Sequence, residues 1–183
     1  LAFRKALTEE TDRGCAHAAA YLDRALLDLL YVSVVLDKDI EGDLFKGAAP
    51  LATFSARVTM CFYLGHISRI ARRDLNIIRK VRNHFAHHPE VASFEDEFVA
   101  DRCRKLAFSY HETNRRARGH FTSAVMGILA QIEIRALEVP GPEERAKDAP
   151  SEEAKAAARE TANAAVRRYE QAMGARKAEE SDV

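Results

Sequence analysis

Only three cysteines, five prolines and eight glycines occur among the 183 residues, and 28 Lys and Arg are matched by 28 Asp and Glu. Each shortage excludes something. Cys15, Cys61 and Cys103 lie far apart and form no CxxC pair, so a disulfide framework and a zinc ribbon are both excluded, and reduced thiols in a cytoplasmic setting are expected. So few turn formers argue against an all-β chain with many reversals. The zero net charge excludes a basic coat for nucleic acid. The most apolar stretch, Leu26 to Leu36, is interrupted by Asp28 and falls far short of the roughly 20 apolar residues a bilayer crossing needs, so no membrane span is expected. Leu1 to Leu7 carries Arg4 and Lys5 without a long apolar core, so no secretory leader is expected there. There is no internal repeat and no glycine-rich phosphate loop, and neither a cofactor nor a metal site is expected.

What is present is an ordinary globular composition, 47% hydrophobic and 31% charged. A chain of this size buries roughly 70% of its unfolded surface, enough for one core without staples.

Helical periodicity dominates. From Glu10 to about Leu36, Cys15, Ala18, Leu22, Ala25, Leu26, Leu29 and Val32 recur at steps of three and four, which predicts a long first helix. Asp37 to Gly47 is polar. Pro50, suited to a first helical turn, opens a second run carrying Leu51, Phe54, Val58, Cys61 and Phe62 up to Gly65. A third helix spans Ser68 to about His87, since Pro89 disfavours helix at His88. Two more run from about Glu95 to Ser109 and from about Arg118 to Leu137. The expected fold is therefore all-α, one bundle of about five helices over residues 1–138. Residues 139–183 form a joint with three prolines and an Ala/Glu/Lys/Arg tail whose apolar stripe, Val166, Tyr169 and Met173, is thin. Such a tail is a solvated helix, a helix awaiting a partner, or disordered.

The segment Arg72 to His88 mixes an apolar stripe with a dense set of polar groups. At about 100° per residue from Ile78, Leu75, Val81 and Phe85 mark the buried face, Asn76, Asn83 and His87 fall opposite, and Asp74 and Arg82 point into the apolar sector at about −40° and +40°. An inward charge needs a partner. Asp12 and Arg13 of the first helix are the expected ones, as Asp12 to Arg82 or Arg13 to Asp74.

Arg82, Asn83 and His87 also match the Arg-x4-His pattern of HEPN ribonucleases, which this stretch resembles. Under that resemblance an imidazole would move the proton of a 2′-hydroxyl and a guanidinium would steady the phosphate, without a metal, in a dimer that pairs two copies of the motif. Against it stands a structural account: Arg82 as a bundle-stabilising arginine and His87 as a cation at the negative end of the helix dipole. His84 and His88, spaced i and i+4, read as a solvated cluster rather than a metal pair because no third ligand accompanies them. Cys15 and Cys103 read as buried small hydrophobes, and Arg115, Arg116 and Arg118 as a solvated helix start.

Three segments taken together, ETDRGCAHAAAYLD (Glu10 to Asp23), PLATFSARVTMCFYLGHIS (Pro50 to Ser68) and RRDLNIIRKVRNHFAHH (Arg72 to His88), resemble the mannitol operon repressor family. The likeness spans most of residues 8–135, with Thr11 where serine is expected. It implies an all-helical transcriptional regulator without a recognised DNA-binding motif, and it singles out Asp12, Arg13, Gly14, Phe54, Arg57, Asp74, Asn76, Arg79, Arg82, Asn83, Phe85 and His87. Direct DNA readout is doubtful, since no helix pair reads as a helix-turn-helix with a basic recognition helix. A non-catalytic interaction module is the third alternative; the expected partner is a protein, with a homodimer compatible with either the regulator or the ribonuclease and RNA a partner only for the ribonuclease.

Overall fold

The computed structural model describes residues 11–17, 19–35, 37, 41–88, 93–110, 116–143 and 151–181. Among them the only regular structure is helical: α1 (Asp12–His17), α2 (Ala20–Tyr31), α3 (Glu41–Phe45), α4 (Phe54–Tyr63), α5 (Arg69–His87), α6 (Glu97–Arg104), α7 (Ala117–Glu138) and α8 (Glu152–Ser181). The chain divides into two compact units, Leu1–Glu143 and Glu144–Val183.

In the first unit the expected first helix is two. The chain tightens between α1 and α2, where Ala19 N–H bonds Ala16 O and Leu22 N–H bonds Ala19 O, three residues back rather than four. Ala18 lies outside the described residues. The helix then stops at Tyr31, short of Leu36, because the Ser33 hydroxyl and amide turn back onto Leu29 and Leu30 carbonyls, a local competitor to helical bonding. Val32, expected on the buried face, is exposed in consequence. Within the segment expected to be simply polar, α3 forms a short turn that buries Phe45 against Tyr31, with ring centroids 4.8 Å apart.

Pro50 does not start α4. The chain turns through Pro50 to Ala52, and Thr53 caps the helix by accepting the Ala56 N–H at 3.2 Å. At the other end Gly65 takes φ +74°, His66 N–H bonds Cys61 O and Gly65 N–H bonds Phe62 O, the paired bonds of a Schellman closure that a left-handed glycine permits. Ser68 then caps α5, accepting the Ala71 N–H at 3.1 Å. This short connection returns α5 antiparallel to α4. Arg72 consequently stands over Phe62 and Arg82 over Phe54, at opposite ends of the pair.

The helix α5 has the expected span and buries Ala71, Asp74, Leu75, Ile78, Val81 and Phe85. Expected to run from Glu95 to Ser109, α6 covers only Glu97–Arg104: Asp96 caps it by accepting the Phe98 N–H at 2.8 Å, and past Lys105 the backbone is claimed by side chains of α5 and α7. From α7, Phe121, Ala124, Val125, Ile128 and Ile132 enter the core. The most extensive packing joins α2 to α7, so Leu22, Leu26 and Leu29 meet a helix about a hundred residues away. Phe85, Phe94 and Phe121 form a chain of tilted rings at 5.1 and 5.3 Å, each side chain contributing about 1.5–3 kcal/mol by burial.

The second unit is α8. Its exposed surface carries Val166, Tyr169 and Met173, and Glu152 pairs with Lys155 at 2.7 Å in the first turn.

Candidate functional site

The polar residues of the three segments are distributed over α1, α4 and α5, and the structure shows what each touches. Asp12 does not meet Arg82. Its carboxylate accepts the Phe94 N–H at 3.0 Å, the Ser93 hydroxyl at 3.2 Å and Arg118 Nη1 at 3.2 Å, so one side chain ties the start of α1 to the turn before α6 and to α7. Arg118 is thus part of the scaffold rather than a solvated helix start, while Arg115 and the Arg13 side chain lie outside the described residues.

Asp74 is fully buried, as its inward angle requires, and it is answered from unexpected directions. Oδ2 accepts the Phe108 N–H at 2.9 Å, and Oδ1 accepts Nε and Nη2 of its neighbour Arg73, each at 3.2 Å. Arg73 Nη2 also donates to Lys105 O at 3.2 Å. Together they hold the turns of residues 105–108 onto α5. The same stretch is pinned to α7, where the Ser109 hydroxyl and His120 Nδ1 are 2.7 Å apart and Tyr110 N–H donates to Ser123 Oγ at 3.0 Å.

Arg57 is buried beneath the 50–53 turn. Nε donates to Leu51 O at 2.9 Å, Nη2 to Ala52 O at 3.2 Å and Nη1 to Asp23 Oδ1 at 2.7 Å. This joins the first and second resembling segments through an ion pair, and Asp23 had no sequence signal beyond its place at the end of ETDRGCAHAAAYLD.

Arg82, Asn83 and His87 stand on one helix end without converging within the chain. The Arg82 guanidinium carbon lies 5.8 Å from the Phe54 ring centroid, on the α4 side. His87, five residues on, leaves the helix about 140° away and is exposed, and Asn83 is half-buried between these directions. Asn76 donates to Arg72 O at 2.9 Å. Arg79 is half-buried, with its Nε enclosed and lacking an acceptor.

His84 is not part of a solvated cluster. Nε2 lies 3.3 Å from Asp96 Oδ2, its ring stacks on Phe98 at 4.6 Å, and the His88 ring lies tilted at 4.8 Å. Partial desolvation opposes ionisation of Asp96, yet the Phe98 N–H, the His84 ring and the Val99 N–H together hold its carboxyl below the usual range.

The cysteines are free and buried. Burial pushes the Cys61 and Cys103 thiols up to about 12, and it raises Cys15 despite the opposing Thr122 hydroxyl and Arg118 charge. Thiols so placed stay protonated and are poor nucleophiles.

A feature that periodicity did not reveal lies between the Gly65–Ser68 connection and the end of α7. Ile67, Ala71, Ile128, Ile132 and Ile134 line a depression of about 220 Å³ together with the polar side chains of His66, Ser68, Gln131, Arg135 and Glu138. Both His66 ring nitrogens are enclosed without a hydrogen-bond partner, and burial, followed by the Arg135 charge, lowers its pKa from 6.5. One turn beyond Ile134, Leu137 is 89% exposed. The signal that could have found it is Ile134 and Leu137 on a helix whose core stripe is Ile128 and Ile132.

Searches of family models, curated proteins and solved structures return no match to this chain.

Proposed function

We propose that this chain is a regulatory protein of the mannitol operon repressor type, acting through contact with another protein rather than by catalysis or direct readout of DNA. The observation that carries this reading is the apolar end of the bundle: Ile134 and Leu137 of α7 stand exposed beside the isoleucine-lined depression, a surface suited to a partner's side chain. The polar residues of the resembling segments support it from the other side. Asp12, Arg57 and Asp74 spend their hydrogen bonds on backbone groups and on the charged side chains of Arg118, Asp23 and Arg73, which is scaffold work.

The test is a reporter driven by the promoter beside the gene, in a deletion strain complemented with wild type, Ile134→Asp or His87→Ala. The regulator reading expects Ile134→Asp to lose control of the reporter while its circular dichroism melt is kept, His87→Ala to retain control, and promoter DNA to be shifted by purified chain no better than an unrelated duplex of equal length. Loss of control in His87→Ala with retention in Ile134→Asp sinks it.

A HEPN-type ribonuclease is the second reading, favoured by one observation: Asn83 and His87 lie on the outward side of α5, where a second copy could meet them. Cleavage of single-stranded RNA in EDTA, abolished by His87→Ala, is its signature.

A further inference from the structure

The zero net charge of the whole chain hides a strongly one-sided helix. Within α5 there are six cations, Arg69, Arg72, Arg73, Arg79, Lys80 and Arg82, and a single acid, Asp74, which is buried. With Ile78 at zero, Arg79, Arg72, Asn83, Asn76, Arg69, His87, Lys80 and Arg73 occupy a sector of about 120° centred opposite the core. At 1.5 Å per residue the helix makes this lane about 28 Å long. It holds five cations, two asparagines and one histidine, and no carboxylate.

The cations of the lane are poorly neutralised. Among the described residues, Arg69, Arg72, Arg79 and Lys80 form no ion pair, and only Arg73 shares a carboxylate, that of Asp74. Arg72 and Arg79 are half-buried, each with its Nε enclosed and lacking an acceptor, so it is the open remainder of each guanidinium that faces outward. The Arg72 guanidinium carbon lies 4.9 Å from the Phe62 ring centroid, a contact that restrains the side chain beside the lane. A depression of about 320 Å³ opens at the first turns of α5, lined by Arg69, Ile70, Arg72, Arg73 and Asn76. Arg69 and Ile70 belong to the first turn of α5, the positive end of its dipole. Beside Phe62, at an edge-to-face distance of 5.8 Å, Tyr63 is 76% exposed.

The geometry points to this lane as a binding surface for a single strand of nucleic acid, its phosphodiester backbone running along the cations of α5 and an unpaired base stacking on Tyr63. Cations recurring along the helix suit a linear polyanion. The exposed aromatic ring discriminates among polyanions, because unpaired bases offer faces that a duplex hides and an acidic peptide lacks. The surface is independent of the protein-contact reading, which uses the end of α7. With about four phosphates neutralised, the single-strand slope of roughly −0.7 per phosphate gives about −3 in log affinity against log salt. That is roughly a 50-fold loss between 50 and 200 mM salt.

The experiment is fluorescence anisotropy of a labelled 20-nucleotide oligouridylate titrated with the full chain. Expected are the steep salt dependence, a loss of about threefold to tenfold for Arg69→Glu or Lys80→Glu, and about fivefold for Tyr63→Ala. Arg104→Glu, exposed on α6, should bind as wild type. Arg69, Lys80 and Tyr63 are exposed, so thermal melts should show all the variants folded. No binding at 50 mM salt overturns the proposal, as does equal loss in Arg104→Glu. Tighter binding of a duplex of equal length, or equally effective competition by polyglutamate at matched charge, overturns it in favour of a duplex or an acidic protein.

Discussion

Replacing Asp74 should be among the most damaging single changes in the bundle. The carboxylate is fully buried and accepts three hydrogen bonds, one from the Phe108 amide and two from Arg73. Asp74→Ala removes a charge-assisted bond to a part-buried backbone amide, worth about 1.5–3 kcal/mol, and leaves a void at a fully buried position, a further 1–2 kcal/mol or so. The Arg73 contribution is small, because that guanidinium is 56% exposed and water can replace its partner. The expected total is about 3–5 kcal/mol. Asp74→Asn keeps an oxygen to accept the Phe108 N–H and loses the charge, so about 1–2 kcal/mol is expected. Urea unfolding followed by circular dichroism reads both. With a slope of about 2 kcal/mol per molar, Asp74→Ala should lower the midpoint by about 2 M and Asp74→Asn by less than 1 M, with slopes unchanged. A loss below 1 kcal/mol for Asp74→Ala, or equal losses for the two variants, would refute the assignment of the Phe108 bond as the dominant one.

Arg57→Met should cost about 3 kcal/mol and roughly 10 °C in Tm, since it strands two backbone carbonyls and the partly exposed Asp23; a double-mutant cycle with Asp23→Asn should assign only about 1 kcal/mol to the ion pair itself. Because the folded His66 binds its proton less readily than the unfolded chain, stability should fall as pH drops below about 6.5. His66→Gln should flatten that fall, and a wild type whose stability rises relative to the variant over the same range would contradict it. Cys61 and Cys103, with thiols at about 12, should stay unmodified by an aromatic disulfide reagent at pH 8 until denaturant is added. Gly65→Ala should cost about 1 kcal/mol in thermal unfolding, because Gly65 sits at φ +74°.

The parts legible in the sequence were those set by one helix alone. Ser68 before the apolar period and Pro89 after it delimit α5, and the angular position of Asp74 places it inside. Partners were harder to read because a helical wheel gives a direction and not the element that lies along it. Asp12 is met by Arg118, 106 residues away, and Asp74 by a backbone amide, which carries no side-chain signature. Backbone carbonyls likewise take two of the three Arg57 bonds. The first helix was read as too long because Ser33 looks like any polar residue until its hydroxyl turns back on Leu29. The charge lane of α5 was present as a basic stretch, but that Asp74 is its one counter-ion among the described residues became visible only once neighbouring helices were in place.

The packing of α2 on α7 has a consequence for how the molecule is made. A ribosome releases Leu22, Leu26 and Leu29 long before Phe121, Val125 and Ile132 exist to cover them. At about 5–20 residues per second, α2 waits roughly 5–20 seconds with its apolar stripe open. Asp12 has an equally long wait for Arg118. The bundle therefore reaches its final form only when the last of its helices has emerged, and until then its earliest residues are natural clients for a chaperone that grips exposed leucines.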